Sequence, residues 1–376
     1  MKSQFLLDPE IVYLNHGSFG AIPKPVLDNL QYLQRKMELD SVQFLDSEIF
    51  PNLAKSRHSL GNFIGCNGDD LVYYPNPTHA VNAVARSLQL HPGDEVLITN
   101  HIYGALDFTW KEICQSKNAK LVKANIPLPV QSSESILKKI FNHVTKNTQV
   151  IFISELTSMT AMIFPVKEII NFCKERKILS IIDGAHIPGH LPLNITELDP
   201  DIYTGACHKW MCAPKGTSFL YVKKNLQDEI MPPVISWGWE VELLDSSRFL
   251  NRHEWQGTRD MTPFLAVPAA IDFLQQNDWL ERAKINHKLV VDSRKMFCHE
   301  LAIEPLCPDE NLAQMASIPI PVKDPVAFKQ SLMEKYNIQV PIYTWEDQTY
   351  LRFSMHLYNA PDDLQKLFTA VMSLLV

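Results

Sequence analysis

The chain has 376 residues, more than one small core needs, so two lobes of about 100–200 residues are expected. It is 46% hydrophobic and 20% charged, a globular composition; its net charge of −7, with basic residues scattered, gives no electrostatic case for nucleic acid or an anionic membrane. The N-terminus MKSQFLLDPEIVYLNHG lacks the apolar core of a signal peptide, no apolar run approaches the ~20 residues of a membrane span, and the seven cysteines form no CxxC pair; a disulfide framework or zinc site is disfavoured and a cytoplasmic, reducing location is expected.

The first twenty residues read as irregular, with a turn at Asn15-His16-Gly17-Ser18-Phe19-Gly20. Pro23 then opens a helix in which Val26, Leu27, Leu30, Leu33 and Met37 recur at helical spacing, and a second helix follows over 53–64. From there strands alternate with helices: DLVYYP, a helix over 78–88, DEVLIT, a helix after Gly104, AKLVKANIP, a helix over 132–144, TQVIFIS and a helix over 166–176. The strands ILSIID, DIYTGA and FLYVK complete the series, which predicts an α/β layer with a mainly parallel sheet. In such sheets ligands bind beyond the carboxyl ends of the strands. After residue 262 the pattern changes to helices over 264–273 and 279–301, strands ASIPIPV and YLRFSMH, and a last helix over 362–375, the outline of a smaller α+β lobe.

The chemistry concentrates at two adjacent strand ends. ILSIID stops at Asp183-Gly184, and a carboxylate there costs free energy unless a cation or donors meet it. DIYTGA runs into Cys207-His208-Lys209-Trp210, so Asp183 and Lys209 share one rim. Taken singly, a strand-end Asp often only caps a turn, and a Lys is usually a solvated charge. Together they are the two partners pyridoxal 5′-phosphate (PLP) requires: a lysine for the imine and an acid that keeps the pyridine nitrogen protonated. A phosphate cradle is available where Asn76-Pro77-Thr78-His79 ends a strand and opens a helix, although the same residues also read as a simple N-cap. For stacking on the ring, Tyr103 is the first candidate and His101 the second; a buried structural Tyr is the competing reading.

These residues lie in stretches that resemble the class-V aminotransferase family of fold-type I PLP enzymes, nearest to its isopenicillin N epimerase-like subgroup: LNHGSFGAIPKPV, NPTHAVNAV, TNHIYGALDFTW, IIDGAHIPGH, YTGACHKWMCAPKGTSFLYV, WQGTRDMTPFLAVPAA and YLRFSMHLYNA. The resemblance implies an α/β fold with a seven-stranded, mainly parallel sheet in a large domain over 20–262, and a small α+β domain from 1–19 and 263–376. Lys209 would be the Schiff-base lysine, Asp183 the partner of the pyridinium nitrogen, and His186 the partner of the ring's 3′ oxygen. Thr78, His79 and His208 would bind the phosphate, Tyr103 would stack on the ring, and Ser158 would contact it. Gly257-Thr258 would reach the phosphate from the neighbouring subunit of a homodimer. Arg352 would grip the α-carboxylate of an amino-acid substrate, with Asn15 and His16 nearby.

Two departures from the family pattern stand out. Ala206 occupies the position where desulfurases carry a phosphate-binding serine, so one phosphate contact is lost or falls to Thr204. Cysteine desulfurases carry a nucleophilic cysteine just before the carboxylate-binding arginine, but the interval from Val340 to Asp347 has none; Cys307 lies upstream and reads as structural. Persulfide formation is therefore disfavoured. Epimerisation or C–S lysis is placed ahead of transamination. A catalytically inactive binding protein on this fold is opposed by the intact Lys209 and Asp183, and a nucleotide dehydrogenase by the lack of GxGxxG after a strand.

Overall fold

The computed structural model describes residues 1–241 and 247–375. Its strands run in chain order as β1 (Val12–Tyr13), β2 (Leu71–Tyr74), β3 (Glu95–Thr99), β4 (Lys120–Ala124), β5 (Thr148–Ser154) and β6 (Leu179–Gly184). They continue as β7 (Ile202–Ala206), β8 (Ser218–Val222), β9 (Met315–Pro319), β10 (Ile338–Gln339), β11 (Ile342–Trp345) and β12 (Gln348–Ser354). Seven of them form one sheet in the order β2-β8-β7-β6-β5-β3-β4, in which only β8 runs against the others. The six remaining strands therefore end on one edge. β6, β7 and β8 are buried almost throughout, as strands covered by helices on both faces must be, which explains their unbroken apolar runs.

A second, antiparallel sheet has the order β11-β12-β9 and packs against the helix Trp279–Glu300. The opening stretch is not wholly irregular. β1 pairs in parallel with β10, Val12 with Ile338 and Tyr13 with Gln339, which joins the chain's start to its end. Two residues are too few to show a strand period, so only the pairing reveals this element.

Two helices and one strand depart from the expected elements. The second helix begins at Ile49, not 53, and the π-helical turn Gln43–Glu48 runs directly into it, so Pro51, which has no N–H to give, lies just past that irregular turn. A helix at Pro325–Tyr336, capped by the Asp324 carboxylate, was not expected; it buries only Phe328 and Leu332, too narrow a stripe to stand out. The hairpin strand β11 was also missed, because it is half-buried and follows Pro341 directly. Among the described residues no helix is long and apolar enough to cross a membrane.

Candidate active site

A cavity of about 670 Å³ opens at the shared carboxyl edge of the large sheet. The strand ends deliver its walls: Ser154 from β5, Asp183 and His186 from β6, and His208 and Lys209 from the tight turn after β7. Thr78 comes from the first turn of the helix Pro77–Ser87 behind β2, and Tyr103 caps the helix Gly104–Ser116 behind β3. β12 reaches in from the second sheet with Arg352, and the N-terminal segment adds Ser18.

Asp183 and Lys209 both face this cavity. The Asp183 carboxylate is 5% exposed; it accepts from the Ala185 N–H at 3.0 Å and the Ser154 hydroxyl at 3.3 Å. Among the described residues it has no ion-pair partner within 4 Å, and burial raises its pKa against the opposing pull of Lys209. Burial also lowers the Lys209 pKa, to about 8, so about a tenth of it is neutral amine at pH 7 and most of it above pH 8. Its Nζ stands 3.1 Å from His186 Nε2. The Trp210 indole N–H donates to His186 Nδ1 at 3.3 Å, so the neutral ring carries its proton on Nε2, the nitrogen facing the cavity group. Burial first, then the Lys209 and Arg352 cations, keep that ring neutral.

The cavity offers two places for anions. At the helix Pro77–Ser87, Asn76 Oδ1 accepts the His79 N–H at 3.0 Å and Pro77 has no N–H, which leaves Thr78 as the first-turn donor beside the cavity. His208 closes the same wall; its Nδ1 donates to the Thr217 carbonyl at 2.7 Å, and burial lowers its pKa to about 4. The second place is Arg352, 4% exposed. Its guanidinium donates to the Ser158 hydroxyl at 3.1 Å, to the Ser158 carbonyl and to the Ser18 hydroxyl, and no carboxylate pairs with it among the described residues. A buried guanidinium bonded only to neutral oxygens is set to receive a carboxylate.

The remaining expected residues divide clearly. Of the two stacking candidates, Tyr103 lines the cavity and is 44% exposed, whereas His101 is buried in the wall, bonded to Thr160 Oγ1 at 2.9 Å and the Ile126 carbonyl at 2.8 Å. His79 lines the cavity rim, with Nδ1 held 3.0 Å from Asn76 Oδ1. Ser158 lines it too, but its hydroxyl serves Arg352. Asn15 and His16 are not among the lining residues; His16 lies behind the wall, with both ring nitrogens bonded, and Ser18 takes the place facing the cavity. Thr258 is exposed and outside this cavity. Thr204 cannot replace the missing serine contact, because its hydroxyl is buried and donates to the Phe219 carbonyl across to β8 at 2.8 Å.

Several contributors were not foreseen. Ser154 ends a buried strand directly beside Asp183 in register, the same signal that singled out Asp183. Lys215 lines the cavity and donates to the Gly20 carbonyl, but nothing in its Pro-Lys-Gly turn marks it. Glu155 lies behind Asp183: its Oε2 accepts from the Tyr203 hydroxyl at 2.6 Å, and burial, with Asp183 adding its charge, raises its pKa to about 7.

The donor set fits PLP. A buried carboxylate without a paired cation among the described residues, a part-buried lysine of lowered pKa, a helix N-terminus and a guanidinium without a carboxylate partner among those residues meet around one cavity. No cysteine lines it among the described residues.

The class-V aminotransferase family model matches residues 12–367. An isopenicillin N epimerase of Amycolatopsis lactamdurans is 30% identical, over 99% of this chain and 97% of its own. A probable chloroplastic L-cysteine desulfhydrase of Arabidopsis thaliana is 26% identical, over 98% and 83%. The apo cysteine desulfurase of Thermococcus onnurineus NA1 superposes with a TM-score of 0.85 at 19% identity, covering 100% of this chain and 97% of that one, a likeness of fold.

Proposed function

The chain belongs to the class-V aminotransferase family of PLP enzymes, and we propose that it acts on a free amino acid at Cα, as an isopenicillin N epimerase-like or C–S lyase-type enzyme. The observation that carries this reading is Arg352: a buried cation without a carboxylate partner, facing the same cavity as Lys209 and Asp183.

In this reading Asp183 would hold the ring nitrogen, His186 Nε2–H would meet the ring oxygen, Thr78 and His79 would take the phosphate, with His208 joining them once the phosphate's charge protonates its Nε2, and Tyr103 would cover a ring face. When bound, PLP withdraws electrons from the substrate's Cα. Arg352, steadied by Ser158 and Ser18, fixes the α-carboxylate and so the direction in which the Cα–H bond points. Lys209, largely unprotonated above pH 8, accepts the α-proton and can return it. Return by Lys209 to the same face restores the substrate; protonation of the opposite face by a second acid gives epimerisation, and departure of a β-sulfur group as thiolate gives C–S lysis. The β11–β12 hairpin disfavours the desulfurase route through an enzyme-bound persulfide: it is a two-residue turn without cysteine, docked through Trp345 on His101 and Glu346 on Asn100.

The domain reading, 20–262 for the large lobe and 1–19 with 263–376 for the small one, is part of the proposal, as is a homodimer in which Thr258 serves the partner's cavity. The test is a panel of amino acids and thiol amino acids with product analysis for inverted chirality, sulfide, pyruvate or keto acid. Lys209→Ala is expected to lose the visible absorbance of bound PLP and all turnover. A borohydride-stable PLP adduct persisting in that variant overturns the assignment.

A further inference from the structure

Beneath the Lys209 turn lies a buried cluster of His16, Cys212 and His356, outside the cavity and unused by the chemistry above. The two imidazoles stack, with centroids 3.8 Å apart and planes 8° apart. His16 comes from the N-terminal segment and His356 from just past β12, so the two ends of the chain meet here.

Their hydrogen bonds define what they do. His16 Nε2 lies 3.0 Å from the Lys209 carbonyl, and Nδ1 lies 2.9 Å from the Tyr358 hydroxyl. A carbonyl only accepts, so Nε2 carries the proton and Nδ1 accepts from Tyr358, as it also does from the Ala21 N–H at 3.4 Å. His356 Nε2 donates to the Trp210 carbonyl at 3.1 Å by the same logic. Both Nε2 atoms are thus committed to carbonyls, and the cluster is wired as a hydrogen-bond set and not as metal ligands. Cys212 Sγ completes it, 3.8 Å from His356 Nδ1.

The same wall is closed on its other sides. Gly20 presses on the turn so closely that a Cβ there would stand 2.2 Å from the Lys209 carbonyl oxygen. Lys215 donates to the Gly20 carbonyl. Trp210, whose carbonyl His356 holds, stacks on His190 at 3.5 Å and sets the tautomer of His186. The two residues that hold the turn also flank the carboxylate grip: Ser18 is two positions from His16, and Arg352 is four from His356.

We propose that His16 and His356 are positioning residues that tie the Lys209–Trp210 turn to the two segments carrying Ser18 and Arg352, so that lysine and carboxylate grip are held in one fixed relation. This rests on Lys209 carrying PLP. Direct contact with substrate plays no part in their role.

The test compares His16→Phe, which keeps a ring against His356 but removes the donor, with His16→Gln, which keeps a donor. PLP-free His16→Phe is expected to take up PLP into a borohydride-stable adduct about tenfold more slowly than wild type, with kcat reduced by a similar factor and KM for the amino acid nearly unchanged. His16→Gln is expected to recover most of both. Wild-type uptake and kcat in His16→Phe overturn the proposal, as do equal losses in both variants, which would mark a merely structural site. If His16→Phe does not fold, His356→Phe and His356→Gln make the same comparison at the Trp210 carbonyl. An adduct formed by Lys209→Ala would instead remove the functional reading itself.

Discussion

At the scale of single residues, burial sets the chemistry. Lys209 has a folded pKa of about 8 against an ordinary 10.5, so the unfolded chain binds more protons between these values. Below pH 8 the PLP-free protein bears the full cost of a buried ammonium, and that cost falls as pH rises from 8 to 10.5. Lys209→Met is therefore expected to melt above wild type at pH 7, with the difference shrinking across that window; thermal melts of the PLP-free proteins measure it. Glu155 runs the other way. Its pKa is raised from 4.5 to about 7, so the folded state binds more protons in that window and wild-type stability falls as pH rises through it. Glu155→Gln removes the fall while leaving Tyr203 an acceptor. Its advantage over wild type should grow from pH 4.5 to 7 and then level off; a constant offset would show that Glu155 stays ionised.

At the scale of elements, the β11–β12 hairpin has the clearest consequence. Trp345 pairs with Gln348 across a two-residue loop, and both loop residues, Glu346 and Asp347, have positive φ, 47° and 63°. That is the geometry of the tight hairpin turn in which glycine is favoured, and non-glycine residues are strained in it. Glu346 has a compensating bond from Asn100 at 2.9 Å, whereas Asp347 has no comparable side-chain bond among those described. Asp347→Gly is expected to stabilise the protein by about 1 kcal/mol, read as a higher urea midpoint at unchanged slope. The hairpin's length also bears on function, because a two-residue turn pinned at Trp345 and Glu346 has no free loop on which to carry a nucleophile to the cavity.

At the scale of the whole molecule, the single chain leaves large apolar side chains in water. Ile235 is 67% exposed and Trp237 71%, and Thr258, which the family pattern assigns to a neighbouring subunit, is exposed as well. Such side chains on one stretch point to a contact surface. The protein is expected to sediment at twice its 43.0 kDa chain mass, and Trp237→Glu is expected to shift it toward the monomer. A wild-type monomer at micromolar concentration would remove the dimer from the proposal and leave Thr258 without its expected role.

The amino-acid sequence by itself determined the alternation of strands and helices, the buried parallel run and the placing of Asp183 and Lys209 on one rim. These follow from local periodicity and from the rule that consecutive parallel strands end on the same edge. Ser154 was legible by the same reasoning and was passed over only because serine is a less conspicuous strand end than aspartate. Two-residue strands, the weakly striped helix at Pro325–Tyr336 and the half-buried β11 carry too little pattern to be read locally. The tertiary structure alone decided which side chains meet across the cavity. Arg352 meets Ser18 over 334 positions and Ser158 over 194, and His16 meets Tyr358 over 342. Motif matching could propose roles for Arg352 and His16, but only packing could place one in the cavity and the other behind the lysine turn. Hydrogen bonding and burial depend on the atoms that close around a side chain, and those atoms come from the far end of the chain.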